Sequence, residues 1–158
     1  MSGRVVAFGL GLALSAFAVQ AAEAPLRLTP AQIAGLAGGG AGPGSSGVAG
    51  IQTTVLSGDP TQPGLYTIQI KVPAHTRIKA HGHRDDRSAV VVAGTWYFGY
   101  GDVAQDDKVE ALPPGSFYTE PAGLAHFAQT RETGATVYIT GVGPTDTVYV
   151  DAANTPGR

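Results

Sequence analysis

Short apolar runs separated by turn residues dominate the chain from Val48 onward. Residues 66–72 alternate apolar and polar side chains, which is the period of a half-buried β-strand. Glycine (23 residues) and proline (11 residues) supply the turns between such runs. Comparable runs occupy residues 51–56, 78–83, 89–93, 95–100, 109–112, 117–120, 126–130, 136–140 and 147–150. The pattern predicts an all-β fold, an antiparallel sandwich or barrel of roughly nine or ten short strands.

The N-terminal segment, residues 1–24, is typical of a secretory signal peptide. Arg4 supplies a positive charge, and residues 5–19 form an uncharged run that is short for a membrane span. An uncleaved N-terminal anchor is the alternative interpretation. Cleavage would leave a mature chain without a membrane span, in the periplasm or outside the cell.

Cysteine is absent from the sequence, and the charged residues form no basic stripe. An exported chain without disulfides must be stable on its core alone, and any metal site in it must use histidine, carboxylate or water. The net charge is −2, and the ten lysines and arginines are scattered along the chain. This distribution argues against a nucleic-acid partner.

Between the signal segment and the strands lie residues 25–47, which predict a short helix and a linker. Thr29 can cap the helix and Pro30 suits its first turn. Residues 38–47 contain only Gly, Ala, Ser and Pro, which favours a flexible surface loop. The predicted organisation continues with a barrel over residues 48–151 and a C-terminal tail over residues 152–158.

Three histidines carry the clearest chemical signal. His81 and His83 are two residues apart, so on a strand both imidazoles point to the same face. His126 follows a Pro-x-Gly turn and begins another apolar run. Three neutral imidazoles that converge inside a small β-domain can hold a divalent transition metal and leave positions open for a substrate.

Two motifs around these histidines resemble those of the cupin superfamily. The first reads Gly, five residues, His-x-His, three or four residues, Glu, six residues, Gly. The second reads Gly, five residues, Pro-x-Gly, two residues, His, three residues, Asn. The matching positions here are His81, His83, Arg87 and Gly94, then Gly115, Pro121, Gly123, His126 and Thr130. Over roughly residues 48–150 the resemblance implies a double-stranded β-helix, or jelly-roll, barrel similar to small exported single-domain RmlC-like cupins.

Three positions depart from these motifs: Arg87 replaces Glu, Thr130 replaces Asn, and His75 replaces the first Gly. The change at position 87 affects chemistry, because arginine carries only hydrogen-bond donors and cannot ligate a metal. The resemblance therefore implies three protein ligands rather than four, and one divalent transition metal ion (Fe, Mn, Zn or Ni). The implied ligands are His81, His83 and His126.

Arg87 and Glu120 are the candidate catalytic residues. Arg87 has two interpretations, a clamp for a substrate carboxylate or phosphate, or a rim salt bridge with Asp85 or Asp86. Sequence adjacency favours the salt bridge, and both aspartates are expected in a solvated loop. Glu120 is expected at the exposed rim; if it faced inward, it could act as a general base on a bound water. His75 is expected in an exposed turn.

Two functions remain open from the sequence. The first is an exported mononuclear metal-dependent enzyme that acts on a small organic substrate. Iron would favour a dioxygenase, whereas zinc, manganese or nickel would favour a hydrolase, lyase or isomerase. The alternative is a non-catalytic cupin that binds or senses a small ligand and has lost full metal ligation. A homodimer formed through sheet faces is a further expectation.

Overall fold

The structure, a computed structural model, describes residues 24–157. The predicted signal peptide therefore falls outside the described residues except for Ala24. A single helical turn, α1 (Pro30–Ala34), precedes the strands, with Thr29 at its N-cap in a capping box with Gln32. Within residues 24–157, no helix is both long and apolar enough to cross a bilayer.

Ten short strands make up the body of the described chain, and their positions follow the predicted apolar runs closely. They are β1 (Gln52–Ser57), β2 (Gly64–Val72), β3 (Arg77–Gly82), β4 (Arg87–Gly94), β5 (Trp96–Tyr100), β6 (Glu110–Leu112), β7 (Phe117–Glu120), β8 (His126–Gln129), β9 (Ala135–Gly143) and β10 (Val148–Tyr149). A 3₁₀ turn follows at Ala152–Asn154. The predicted all-β class is confirmed.

The strands form two antiparallel five-stranded sheets. One has the order β1-β2-β9-β4-β7 and the other the order β10-β3-β8-β5-β6. Neighbours that are far apart in sequence, such as β2 and β9, pair over their full length. Side chains of both sheets form the core between them, including Tyr66, Ile68 and Ile139 from the first sheet and Trp96 and Phe98 from the second. This two-layer arrangement buries one face of each sheet.

The strand register brings polar residues of both sheets to one end of this core. In one sheet, β3 pairs with β8 so that His81 lies opposite His126. In the other sheet, β4 pairs with β7 so that Arg87 lies opposite Glu120. The site described below is thus built from cross-strand pairs that are distant in sequence.

The Gly-rich segment differs from its prediction as a surface loop. Ser45 and Ser46 are only 6% and 7% exposed. The Thr147 hydroxyl donates to the Ser45 carbonyl at 2.9 Å, and the Tyr149 hydroxyl donates to the Ser46 carbonyl at 2.7 Å. Gly44 adopts φ +84, where a Cβ would come within 2.9 Å of the Ile68 side chain. Residues 44–46, called the strap below, are therefore packed onto the barrel.

Candidate metal centre

The three motif histidines converge in the interior. His81 lies near the end of β3, His83 follows that strand directly, and His126 begins β8. All three are buried, at 4%, 3% and 2% exposure. Each histidine contributes one ring nitrogen to a group of three nitrogens that all lie within 4.8 Å of one another. The spacing of two residues and the β3–β8 register together produce this cluster.

Backbone carbonyls fix the orientation of each ring. Every Nδ1 lies within hydrogen-bond distance of a carbonyl oxygen: His81 with Lys79 at 2.8 Å, His83 with Asp146 at 2.5 Å, and His126 with Leu124 at 3.2 Å. A carbonyl can only accept, so each neutral ring carries its proton on Nδ1 and its lone pair on Nε2. This is the arrangement by which proteins orient metal-binding histidines.

All three rings are neutral at neutral pH. Burial, followed by the charge of His126, lowers the pKa of His81 to about 4. Burial, followed by the charge of Arg87, lowers the pKa of His83 to about 3. Burial also lowers the pKa of His126. The His126 Nε2 is buried and has no hydrogen-bond partner among the described residues, a costly state that a metal would relieve. The residues therefore fit a divalent transition metal.

Arg87 and Glu120 form a buried ion pair beside these rings. The Arg87 Nε donates to Glu120 Oε2 at 2.6 Å, and Nη2 donates to the same oxygen. Arg87 and Glu120 are 5% and 4% exposed, so the expected rim positions are wrong for both. Burial, the largest single influence, raises the pKa of Glu120, but the charge of Arg87, the neighbouring histidines and the hydrogen bond from Arg87 together outweigh it and lower that pKa to about 2.

The remaining nitrogen contacts of Arg87 connect the ion pair to the histidines and to the strap. Nη2 donates to His83 Nε2 at 2.8 Å, and Nη1 donates to the Gly44 carbonyl at 2.7 Å. The guanidinium thus holds a carboxylate, a ligand nitrogen and the strap together. All of these groups lie in the interior, where such contacts are weakly screened.

The other candidate side chains lie apart from the three rings. Asp85 is buried, contrary to its expected solvated loop, and accepts hydrogen bonds from Tyr66 Oη at 2.8 Å and Thr145 Oγ1 at 2.6 Å. Asp86 is exposed and accepts from the Ala122 amide at 2.8 Å. Neither aspartate pairs with Arg87 in these contacts. The His75 side chain is 68% exposed, as expected.

A cavity of about 20 Å³ lies against His81 and His126, with room for one water molecule. Trp96, Phe98 and Tyr118 form its aromatic wall, and the strap residues also line it. Sequence reasoning did not single out Tyr118, although it had a signal. Tyr118 and Glu120 are two apart on β7, so both face the interior.

Comparisons with known proteins support the fold. Neither a family model nor a curated protein sequence matches the chain significantly. The DMSP lyase from Ruegeria pomeroyi is 18% identical, with a TM-score of 0.55 over 68% of this chain and 54% of that one. A cupin 2 conserved barrel domain protein from Rhodopseudomonas palustris is 11% identical, with a TM-score of 0.53 over 66% of this chain and 69% of that one.

A sugar phosphate isomerase of the cupin superfamily from Silicibacter pomeroyi is 17% identical, with a TM-score of 0.50 over 63% of this chain and 65% of that one. The chain spans about half the length of the DMSP lyase structures that it matches. At these identities the likeness concerns the fold alone. The chain therefore has the cupin fold, as the two motifs predict.

Proposed function

We propose that the protein is an exported, mononuclear metal-binding cupin whose ion is held by His81, His83 and His126. The buried and unpartnered Nε2 of His126 is the observation that carries this proposal. An imidazole lone pair in the interior needs either a donor or a metal. The neutral state of all three rings and their fixed tautomers support the same assignment.

The residues of the chain would orient the ion and exclude water. The three carbonyl contacts at Nδ1 hold the rings in place, and the strap lines the same cavity as His81 and His126. When bound, a divalent transition metal supplies Lewis acidity or an activated water, or oxygen chemistry in the case of iron. Because the pKa of Glu120 is lowered to about 2, with Arg87 as the largest lowering influence, this carboxylate is a weak base while the pair is intact.

A small organic molecule is the substrate class that we favour. The cavity wall combines aromatic and aliphatic side chains with the polar groups of Arg87, Glu120 and two of the histidines. A lyase and an isomerase among the structural neighbours show that this fold supports chemistry on small molecules, which lends the enzyme hypothesis limited support. Substrate binding would require displacement of the strap, since ligand pockets commonly measure about 300–1,000 Å³.

A non-catalytic binding cupin is the second candidate, and the size of the cavity favours it. A space of about 20 Å³ has room for one water-sized species but not for an organic substrate. Arg87 also occupies the Nε2 lone pair of His83. If the protein is an enzyme, it should turn over a substrate, and His126→Ala should abolish this turnover without unfolding the protein. If it is a binding protein, it should bind a ligand without turnover.

Metal analysis of residues 25–158, purified without a histidine tag, tests the proposal. We expect about one transition metal per chain. The double variant His81→Ala/His83→Ala should lose the metal, and His75→Ala, which changes an exposed histidine, should retain it. Equal metal content in all three proteins, or none in any of them after incubation with metal salts, would contradict the proposal.

Export is the part of the proposal that depends on residues 1–24. Expression of the full chain, followed by cell fractionation and determination of the N-terminus, tests it. We expect the protein outside the cytoplasm with the signal segment removed. A cytoplasmic protein that retains Met1 would contradict export and leave the metal site unaffected.

A further inference from the structure

The Glu120 carboxylate lies closer to the histidine lone pairs than any other acidic group described above. We propose that Glu120 is a fourth ligand of the metal and that Arg87 competes with the metal for the lone pairs of Glu120 and His83. The inference rests on the proposed function, because it concerns the same ion. It adds a ligand and a competitor that the three-histidine assignment lacks.

Distances support Glu120 as a ligand. Its Oε2 lies 3.7 Å from His83 Nε2 and 3.8 Å from His126 Nε2. Ligand atoms bound at about 2.0–2.2 Å from one ion lie at most about 4.4 Å apart. The oxygen is therefore close enough to both nitrogens for all three atoms to bind the same ion. The side chain is 5% exposed, so water does not compete for it freely.

Charge balance also favours a carboxylate at this position. Three neutral imidazoles leave both positive charges of a divalent ion uncompensated in a buried site. Glu120, once released from Arg87, supplies one negative charge beside them, whereas Asp85 is engaged by Tyr66 and Thr145. An ionised carboxylate is also a common oxygen ligand of these metals.

Arg87 disfavours metal binding in two ways. Its Nη2 donates to His83 Nε2 at 2.8 Å, so the lone pair that would bind the metal is already occupied by a proton donor. The guanidinium cannot lose its charge, and it would repel a cation at close range. Metal binding therefore requires that Nη2 leaves His83. The Gly44 carbonyl provides a remaining partner for Nη1.

Titration calorimetry with Co²⁺, together with its visible absorption spectrum, tests both roles. Glu120→Gln alone would leave the Arg87 charge buried without its partner, so Glu120 is tested in an Arg87→Met background. The proteins are the wild type, Arg87→Met, Arg87→Met/Glu120→Gln, His81→Ala and Asp85→Asn. Asp85→Asn is the matched control, because it neutralises a buried carboxylate whose oxygens accept hydrogen bonds from Tyr66 and Thr145.

We expect Arg87→Met to bind Co²⁺ at least about 10-fold more tightly than the wild type, because the competing cation is gone. Adding Glu120→Gln should weaken binding more than about 100-fold relative to Arg87→Met, beyond the effect usual for groups that only support a ligand. The Co²⁺ bands should shift as well, since one ligand is replaced. Asp85→Asn should bind like the wild type.

Equal affinity and identical spectra for Arg87→Met and the double variant would overturn Glu120 as a ligand. Weaker or unchanged binding by Arg87→Met relative to the wild type would overturn Arg87 as a competitor. In either case, loss of Co²⁺ binding in His81→Ala would leave the three-histidine site standing. Failure of every protein to bind Co²⁺ would instead contradict the proposed function and the inference together.

Discussion

Replacing Glu120 by Gln in the metal-free protein should cost more free energy of unfolding than replacing its partner Arg87 by Met. Gln keeps the size of Glu but removes its charge, and the Arg87 guanidinium then stays in the interior as an uncompensated cation. Arginine cannot lose its proton in a protein, so this charge has no route to neutrality. Arg87→Met leaves Glu120 unpaired, but a carboxylate can take up a proton and become neutral.

The expected magnitude follows from burial and hydrogen bonding. The Arg87 and Glu120 side chains are 3% and 5% exposed, and Arg87 donates to Glu120 through both Nε and Nη2. Breaking such a buried pair on one side typically costs about 3–5 kcal/mol, whereas replacing both partners by neutral groups costs far less. Glu120→Gln should therefore cost about 3–5 kcal/mol. The double variant Arg87→Met/Glu120→Gln should be more stable than Glu120→Gln alone.

Urea unfolding in the presence of a chelator measures all four corners of this double-mutant cycle. A cost below about 1 kcal/mol for Glu120→Gln, which is typical of exposed pairs, would refute the reasoning. Additive effects of the two substitutions would refute it as well. Either result would mean that the pair is solvated or that the interior tolerates the unpaired guanidinium.

Two other predictions concern the stability of the protein: its dependence on pH through the histidine rings, and its dependence on a glycine at the turn around Gly94. The pKa values of His81 and His83 are about 4 and about 3, against 6.5 in the unfolded chain, so in that window only the unfolded state binds protons. The metal-free protein should therefore lose stability as the pH falls from about 6.5 to 4. A urea midpoint that stays constant over this range would contradict the prediction. The double variant His81→Gln/His83→Gln should show a weaker dependence of stability on pH. Gly94→Ala should destabilise by more than about 1 kcal/mol, because Gly94 has φ +71 and its Cβ would lie 1.9 Å from the Gly134 carbonyl oxygen. Gly40→Ala, which meets no atom within 4 Å, is the control, and equal melting temperatures for the two variants would contradict the strain argument.

Local patterns were sufficient to predict much of the fold. The two-residue period and the turn residues gave strand positions, including residues 117–120, where prediction and structure coincide. The two motifs predicted the cupin fold because their spacing reflects how strands and turns alternate in such a barrel. The convergence of His81, His83 and His126 follows from the same spacing.

The surroundings of the histidines were harder to predict because they depend on strand register. Asp85 and Asp86 are near Arg87 in sequence, but the antiparallel β4–β7 pairing places Glu120 opposite it. Nothing in the sequence near Arg87 specifies that pairing. The strap shows a related difficulty, since glycine and serine are typical of surface loops. Their small size also lets Gly44 pack tightly against the barrel.

Anomalous diffraction from crystals soaked in Zn²⁺ or Co²⁺ would test the central claim most directly. We expect one strong peak per chain between the Nε2 atoms of His81, His83 and His126, at about 2.0–2.2 Å from each. A crystal of His81→Ala/His83→Ala should lack this peak. Soaked wild-type crystals with no peak at the three rings, or with a peak only at the exposed His75, would contradict the claim.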